Sequence, residues 1–121
     1  MINIYEYLIN KQTKEKDKDP NNPRTWGVGD ILVATYGYNM TLNRFYRITK
    51  IVGKASFELE ELASKLTDGS YNHPAGCHEV PIEDKVEGTT KGRIGKSGRL
   101  KIDGYLASLW NGKPVYANHC D

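Results

Sequence analysis

ILVATYGYNMTLNRFYRITKIV, running from Ile31 to Val52, is the stretch that decides the fold class. Its first part, Ile31 to Tyr36, is apolar at almost every position, which is typical of a strand buried on both faces. The residues from Gly37 to Asn43 interrupt this pattern. Phe45 to Val52 then combines aromatic and β-branched side chains, which favour a second strand. The stretch therefore predicts two neighbouring strands and a domain built mainly from β-structure.

A third strand is predicted immediately downstream, after a tight turn at residues 53–54. Residues 56–62 place apolar side chains between glutamates, a pattern that suits a strand with one buried face. A helix through Leu59, Leu62 and Leu66 competes with this interpretation, because the three leucines lie at helical spacing. Three successive strands joined by short turns indicate an antiparallel meander.

The second half of the chain predicts loops and short strands. Residues 67–80 are rich in Gly, Pro, Asn and Asp, which is typical of a loop. Residues 88–99 carry four glycines and four basic side chains, which predicts a mobile loop or a hairpin tip. Residues 99–103 alternate polar and apolar side chains, as a half-buried strand does. Residues 115–118 are expected to close the domain as a last strand.

A short helix is predicted near the C-terminus, over residues 103–110. Its large apolar side chains recur at the i, i+3 and i+4 spacing of a helix, Asp103 is a suitable N-cap, and Gly112 suits the position after the last turn. A rival interpretation treats Asn111 and Gly112 as the turn of a β-hairpin. The helical spacing favours the helix.

The N-terminal part differs in composition from the rest. Residues 2–10 place apolar side chains at helical spacing, which predicts a short amphipathic helix that docks on the domain or on a partner. Residues 11–24 mix both charge signs and are expected to stay solvated. The predicted organisation is a short helix with a charged, flexible tether over residues 1–25 and a single β-rich domain over residues 26–121. The predicted fold class is mainly β (α+β), as a small antiparallel sheet or an open barrel.

Length, charge and cysteine count narrow the functional classes. The 121 residues fit one domain, and 17 basic against 15 acidic residues leave a net charge of +2. This excess is too small to mark the whole chain as a nucleic-acid binder. Cys77 and Cys120 are too few for a secreted disulfide scaffold. Neither a signal-peptide pattern nor a membrane-spanning apolar run is present. We expect a soluble, cytoplasmic protein that does not contact membranes.

The glycine-rich segment GRIGKSG, residues 92–98, fails the spacing test for a nucleotide-binding loop. That motif needs a glycine five residues before Gly95, where this chain has Thr90. The segment still concentrates positive charge, with no acidic residue among residues 88–102. Such loops contact nucleic-acid backbones through charge, although many are only solvated. The predicted binding residues here are Lys91, Arg93, Lys96 and Arg99.

The sequence gives only weak evidence for a metal site or a catalytic site. His73, Cys77 and His78 are metal-competent, as are His119 and Cys120, but their spacing fits no standard zinc pattern, and neighbours on a strand point to opposite faces. A cysteine nucleophile needs a positioned histidine base, which sequence proximity does not supply. The sequence therefore predicts no metal, no cofactor and no catalytic residue.

Aromatic and arginine side chains suggest a binding surface instead. Tyr, Trp and Arg dominate binding hot spots, and aromatic rings stack on the bases of single-stranded nucleic acid. Many of the aromatic residues belong in the core, but Tyr38 lies in the break between the first two strands, and Arg44 and Arg47 interleave with aromatic neighbours. The predicted binding residues in this group are Tyr38, Arg44, Arg47 and Trp110.

Two segments carry a resemblance, GDILVATYGYNMTLNRFYRITKIVGK (Gly29 to Lys54) and WNGKPVYANHC (Trp110 to Cys120). Together they resemble a family of small uncharacterised proteins encoded by phages and other mobile elements, and they cover about a third of the chain. Tyr36 stands where the family pattern has Trp, so a shared site at that position does not transfer. The resemblance implies a context of accessory genes, which encode small inhibitors of host defence or small nucleic-acid-handling proteins.

Three functional hypotheses follow. The first is a non-enzymatic, counter-defence (anti-CRISPR-like) inhibitor that acts by protein–protein interaction on a host protein or its nucleic-acid complex. The second is a small nucleic-acid-binding module that uses the basic glycine-rich loop and a Tyr/Arg face. The third and weakest is a small enzyme or metal protein that uses His73, Cys77 and His78.

Overall fold

The computed structural model describes residues 18–37, 41–69 and 76–118. The predicted helix over residues 2–10 lies outside them. The described residues form one 3-10 helix, Pro23–Thr25, and antiparallel strands. The strands are β1 (Ile31–Tyr36), β2 (Leu42–Val52), β3 (Ser56–Gly69), β4 (Cys77–Ile94), β5 (Leu100–Ile102), β6 (Tyr105–Leu109) and β7 (Val115–Ala117). The prediction of a mainly β, antiparallel domain is confirmed.

The first six strands form a closed ring. β1 to β4 pair in chain order, as the predicted meander requires, and β4, β5 and β6 continue the series. β6 then pairs with β1, with Ala107 opposite Ala34, and this pairing closes the sheet. The sheet is therefore closed into a barrel, where the sequence predicted a small antiparallel sheet or an open barrel, and each of these six strands has a neighbour on both sides.

The interior of the ring is apolar. Directly opposed residues of paired strands point to the same face, so Leu32 opposite Tyr46 and Ile48 opposite Leu59 all face inward. The interior cluster consists of Trp26, Leu32, Ala34, Tyr46, Ile48, Phe57, Leu59, Ile94, Leu100, Ile102 and Ala107. Gly92 on β4 lies tightly against this cluster, since an added Cβ would come within 3.1 Å of Cγ1 of Ile102.

A second buried layer covers part of the outer surface of the ring. By register Phe45 faces outward, yet it is fully buried. Leu62 lies opposite it on β3, and the Trp110 ring packs against it edge to face, with 6.2 Å between ring centroids. β7 pairs with the start of β4, and a bridge joins Asn118 to Thr41 beside β2. The C-terminal segment thus stabilises this side of the ring.

The segment from residue 18 to residue 26 packs against the described domain. The indole N–H of Trp26, a residue only 5% exposed, donates to the main-chain carbonyl of Asp19 at 2.8 Å. Lys18 pairs with Asp30 at 2.7 Å. These contacts begin ahead of the predicted domain start at residue 26. The division into a tether and a domain stays a prediction.

The predicted C-terminal helix is wrong, because residues 105–109 form β6. Asp103 and Gly104 make a two-residue turn between β5 and β6, and their φ angles of 51° and 87° are both positive. This is the geometry of a type I′ hairpin, in which Asp-Gly is a favoured pair. Asp103 is thus a turn residue and not a helix cap. Pairing with strands on both sides outweighs the helical spacing of the side chains.

The predicted loops are shorter than expected. β3 continues to residue 69 and β4 begins at residue 77, so only the middle of the predicted loop at residues 67–80 lies outside a described strand. Within the predicted loop at residues 88–99, a turn occupies residues 95–99, and the rest belongs to β4. Cross-strand hydrogen bonds offset the low strand propensity of glycine here. Among the described residues, no helix has the length and apolar character needed to span a membrane.

Candidate functional site

A row of basic side chains lies on the outer face of the ring where β4 meets β5. Arg93 lies directly opposite Lys101, and Lys91 precedes Arg93 by two residues on the same strand. The intervening Gly92 opposes Ile102 and faces the interior, so the three basic side chains face solvent. All three are exposed. We call Lys91, Arg93 and Lys101 the basic wall.

The spacing of the basic wall follows from strand geometry. Residues two apart on a strand are about 6.6 Å apart, and neighbouring strands lie about 4.8 Å apart. The main-chain positions of Lys91, Arg93 and Lys101 are therefore close enough for all three side chains to contact the phosphates of one nucleic-acid strand. Glu58 moderates the charge at one end, because it lies opposite both Lys91 and Lys50. On β3, the residue opposite Arg93 is Ser56, which carries no charge.

The turn between β4 and β5 adds the other two predicted basic residues. The N–H of Gly95 donates to the carbonyl of Arg99 at 3.1 Å, which closes the turn. Lys96 at its tip is exposed. Arg99 is half-buried, and its Nε is buried without a hydrogen-bond partner among the described residues. Lys96 therefore extends the basic surface, whereas Arg99 packs partly into the turn.

A polar groove of about 370 Å³ borders the basic wall at Lys91. It is lined by Thr49, Glu58, Leu59, Thr89, Thr90 and Lys91. The Thr49 hydroxyl donates to the main-chain carbonyl of Glu58 at 3.0 Å, so this part of the lining is held in place. The groove offers hydroxyl groups next to a lysine, which suits polar groups of a ligand that is already held by the basic wall.

A second group of side chains lies at the rim of the ring, where β1, β2 and β6 meet. The rings of Tyr36 and Tyr105 have centroids 4.7 Å apart. The guanidinium carbon of Arg44 lies 5.2 Å from the centroid of Tyr36, and Nε of Arg44 donates to the Tyr36 hydroxyl at 3.1 Å. Hydrogen bonds to the hydroxyls of Tyr36 and Tyr46 raise the pKa of Arg44 further above its usual range. We call Tyr36, Arg44 and Tyr105 the Tyr/Arg cluster.

Two of the predicted binding residues are engaged in the structure of the domain itself. Arg47 forms an ion pair with Glu60 on β3 and donates to the main-chain carbonyl of Glu83 at 2.8 Å. Trp110 packs on Phe45, and its indole N–H donates to the carbonyl of Lys113 at 2.7 Å. These contacts give both side chains a structural role. Tyr38, the remaining predicted residue of this group, lies outside the described residues.

The geometry around Cys77 opposes a catalytic or metal role for the residues described there. Cys77 is buried, and burial raises the pKa of its thiol, which disfavours the reactive thiolate. His78 is its sequence neighbour on β4 and bonds through Nδ1 to the Asp68 carboxylate at 3.0 Å. In the part of the chain that the structure describes, no three His, Cys, Asp or Glu side chains group as metal ligands. His73, His119 and Cys120 lie outside that part.

The sequence signal for the site was partial. The run of basic residues at 88–102 located the basic segment in the sequence. The face of the sheet on which each side chain lies depends on the pairing of β4 with β5, and this pairing was not expected because residues 88–99 were predicted to be a loop. Tyr105 was missed because it was assigned to a helix; the Asp-Gly pair before it was the available signal for a hairpin. Comparisons with protein-family models, curated proteins and solved structures found no match to this chain.

Proposed function

We propose that this protein is a non-enzymatic binding protein whose ligand is nucleic acid, held through phosphates on the basic wall. The observation that supports this most is the alignment of Lys91, Arg93 and Lys101 on adjacent strands, with Lys96 beyond them. Residues 88–102 contain no acidic side chain, and on β3 Glu58 lies opposite Lys91 alone among the three wall residues. Contacts between lysine or arginine and phosphate account for most sequence-independent affinity for nucleic acid.

The rigidity of the basic wall favours binding. Lys91 and Arg93 belong to a strand that is paired on both sides, so their main chain does not have to be ordered when a ligand arrives. A preorganised surface loses less conformational entropy on binding than a loop. The net charge of only +2 does not oppose this function, because the charge is concentrated locally.

A second candidate function is inhibition of a host defence complex by protein–protein interaction, in the cytoplasm of the host cell. The Tyr/Arg cluster favours it, because exposed tyrosine and arginine are typical of protein-binding hot spots. The resemblance to small proteins of phages and mobile elements supplies the biological context. The partner would be a host protein or its complex with nucleic acid, and the basic wall would then compete for the position of that nucleic acid.

Fluorescence anisotropy with a labelled oligonucleotide at low salt tests the first proposal. The triple variant Lys91→Ala/Arg93→Ala/Lys101→Ala is compared with Lys65→Ala/Lys85→Ala/Lys113→Ala, which removes the same charge from exposed positions elsewhere. We expect the first variant to lose at least about tenfold in affinity and the second to change little. Equal loss in both variants would mean that only net charge matters and would refute the basic wall as a site.

A further inference from the structure

We propose that the nucleic acid is single-stranded, with phosphates on the basic wall and a base stacked on Tyr105. This inference rests on the proposed function and specifies its ligand. The basic wall alone does not distinguish a single strand from a duplex, because both carry phosphates. The distinction comes from the position of the Tyr/Arg cluster relative to that wall.

The two surfaces are neighbours because β5 is only three residues long. Lys101 on β5 lies opposite Leu106 on β6, and Tyr105 is the next residue of β6 toward the turn. Tyr105 shares the interior face by register with Ile102, but it lies beside the turn at the rim and is 42% exposed. A ligand that crosses the rim from the basic wall therefore reaches the tyrosine beside the exposed Asp103–Gly104 turn.

Tyr105 is held in place as a stacking platform. Its ring lies against Tyr36, which in turn is contacted by the charged guanidinium of Arg44. Fixing the ring in advance reduces the entropy lost when a base stacks on it. Base–aromatic stacking works with any base, because each base has a π face, so little sequence preference is expected.

A duplex cannot use this arrangement without opening. Its bases are already stacked on one another and paired, whereas an unpaired base can turn out and lie on an aromatic side chain. Proteins that bind single strands combine a positively charged track for the backbone with aromatic side chains for the bases. The basic wall supplies the charged track, and Tyr105 supplies the ring on the same β5–β6 hairpin that carries Lys101.

The test compares the affinities of one labelled oligonucleotide, free and annealed to its complement, for four forms of the protein. These are the unaltered chain, Tyr105→Leu, Tyr105→Phe and Tyr116→Leu. Tyr116 is the matched control, because it is also 42% exposed but lies on β7. Thermal unfolding followed by circular dichroism establishes that each variant is folded.

We expect the single strand to bind at least about tenfold more tightly than the duplex. Tyr105→Leu should weaken single-strand binding about tenfold, while Tyr105→Phe and Tyr116→Leu retain affinity. Equal affinity for both nucleic acids, or an unchanged affinity of Tyr105→Leu, would overturn the inference. In that case the proposed function stands if the triple variant of the basic wall still loses affinity. If neither nucleic acid binds the unaltered chain, both proposals fail.

Discussion

Arg47 on β2 and Glu60 on β3 form an ion pair across neighbouring strands, and the same guanidinium donates to the carbonyl of Glu83 on β4. Glu83 lies where β4 leaves its regular ladder, because Leu62 of β3 opposes Val86 whereas Ser64 opposes Pro81. The residues between Pro81 and Val86 therefore bulge out of the pairing. Arg47 anchors this bulge to the sheet and stabilises the domain.

Replacing Arg47 by alanine is expected to lower the free energy of unfolding by about 1–2 kcal/mol, because Glu60 and the carbonyl of Glu83 each lose a charged donor. The pair is partly exposed, so water recovers some of the interaction and keeps the effect in this range. Urea denaturation followed by circular dichroism measures it. Lys50→Ala on the same strand is the control and should change stability by less than about 0.5 kcal/mol.

The contrary result for Arg47 is also informative. If Arg47→Ala unfolds at the same urea concentration as the unaltered protein but loses affinity for nucleic acid, then Arg47 is a binding residue, as the sequence predicted, and its structural role is wrong.

A side chain added at Gly92 is expected to crowd the interior of the ring. A Cβ at this position would meet Cγ1 of Ile102 and Cδ1 of Leu100 at 3.1 Å, and Cδ1 of Leu59 at 3.2 Å. Gly92→Ala should therefore destabilise the protein by about 1–3 kcal/mol through overpacking of the interior. Gly88→Ala on the same strand is the control, since nothing lies within 4 Å of an added Cβ there. Equal midpoints of urea unfolding for the two variants would show that the interior is less tightly packed than described.

The thiol of Cys77 is expected to be unreactive in the folded protein. It is buried, and burial followed by the nearby Glu79 and Asp68 carboxylates raises its pKa. In a Cys120→Ser background, Ellman's reagent at about pH 8 should label Cys77 only after urea is added, because the thiolate is the reactive form. Rapid labelling of the folded protein would contradict both the burial and the raised pKa.

The same raised pKa makes stability fall at alkaline pH. The unfolded chain releases the Cys77 proton near its ordinary pKa of 9.0, whereas the folded chain retains the proton to higher pH. The protonated Cys77 thiol therefore contributes fully to the free energy of unfolding below about pH 9, and this contribution is lost as the pH rises through the pKa of Cys77 in the folded protein. From about pH 8 to about pH 10, Cys77→Ala should therefore lose less of its unfolding free energy than the unaltered protein loses. If the unfolding free energies of the two proteins change in parallel with pH, the raised pKa of Cys77 is refuted.

Part of the fold follows from local sequence pattern. Ile31–Tyr36 forms β1 as predicted, but only Leu32 and Ala34 are buried, because a strand in the wall of a closed ring has one inner and one outer face. Tyr105–Leu109 does not follow its pattern, because the helical spacing there is local, whereas the pairings with β1 and β5 depend on residues far along the chain. Closure of the ring is likewise a long-range property. Of the two interpretations offered for residues 56–62, the strand is correct.

The candidate site was predictable in charge but not in geometry. The acid-free basic run showed where Lys91 and Arg93 are, and the alternation of a strand now explains why they share a face. Arg47 and Trp110 have the residue types of a binding site, but ion pairing and ring packing occupy them. Composition cannot separate these two uses, because arginine and tryptophan serve both purposes.

The most direct test of the basic wall is the salt dependence of binding to a single-stranded oligonucleotide. The slope of log K against log salt concentration is measured for the unaltered protein, for Arg93→Ala/Lys101→Ala and for the control Lys65→Ala/Lys113→Ala. Loss of two phosphate contacts should make the slope shallower by about 1.4 in the first variant and leave it unchanged in the control. An unchanged slope in Arg93→Ala/Lys101→Ala, or no binding by the unaltered protein at low salt, would contradict the assignment of this surface to nucleic acid.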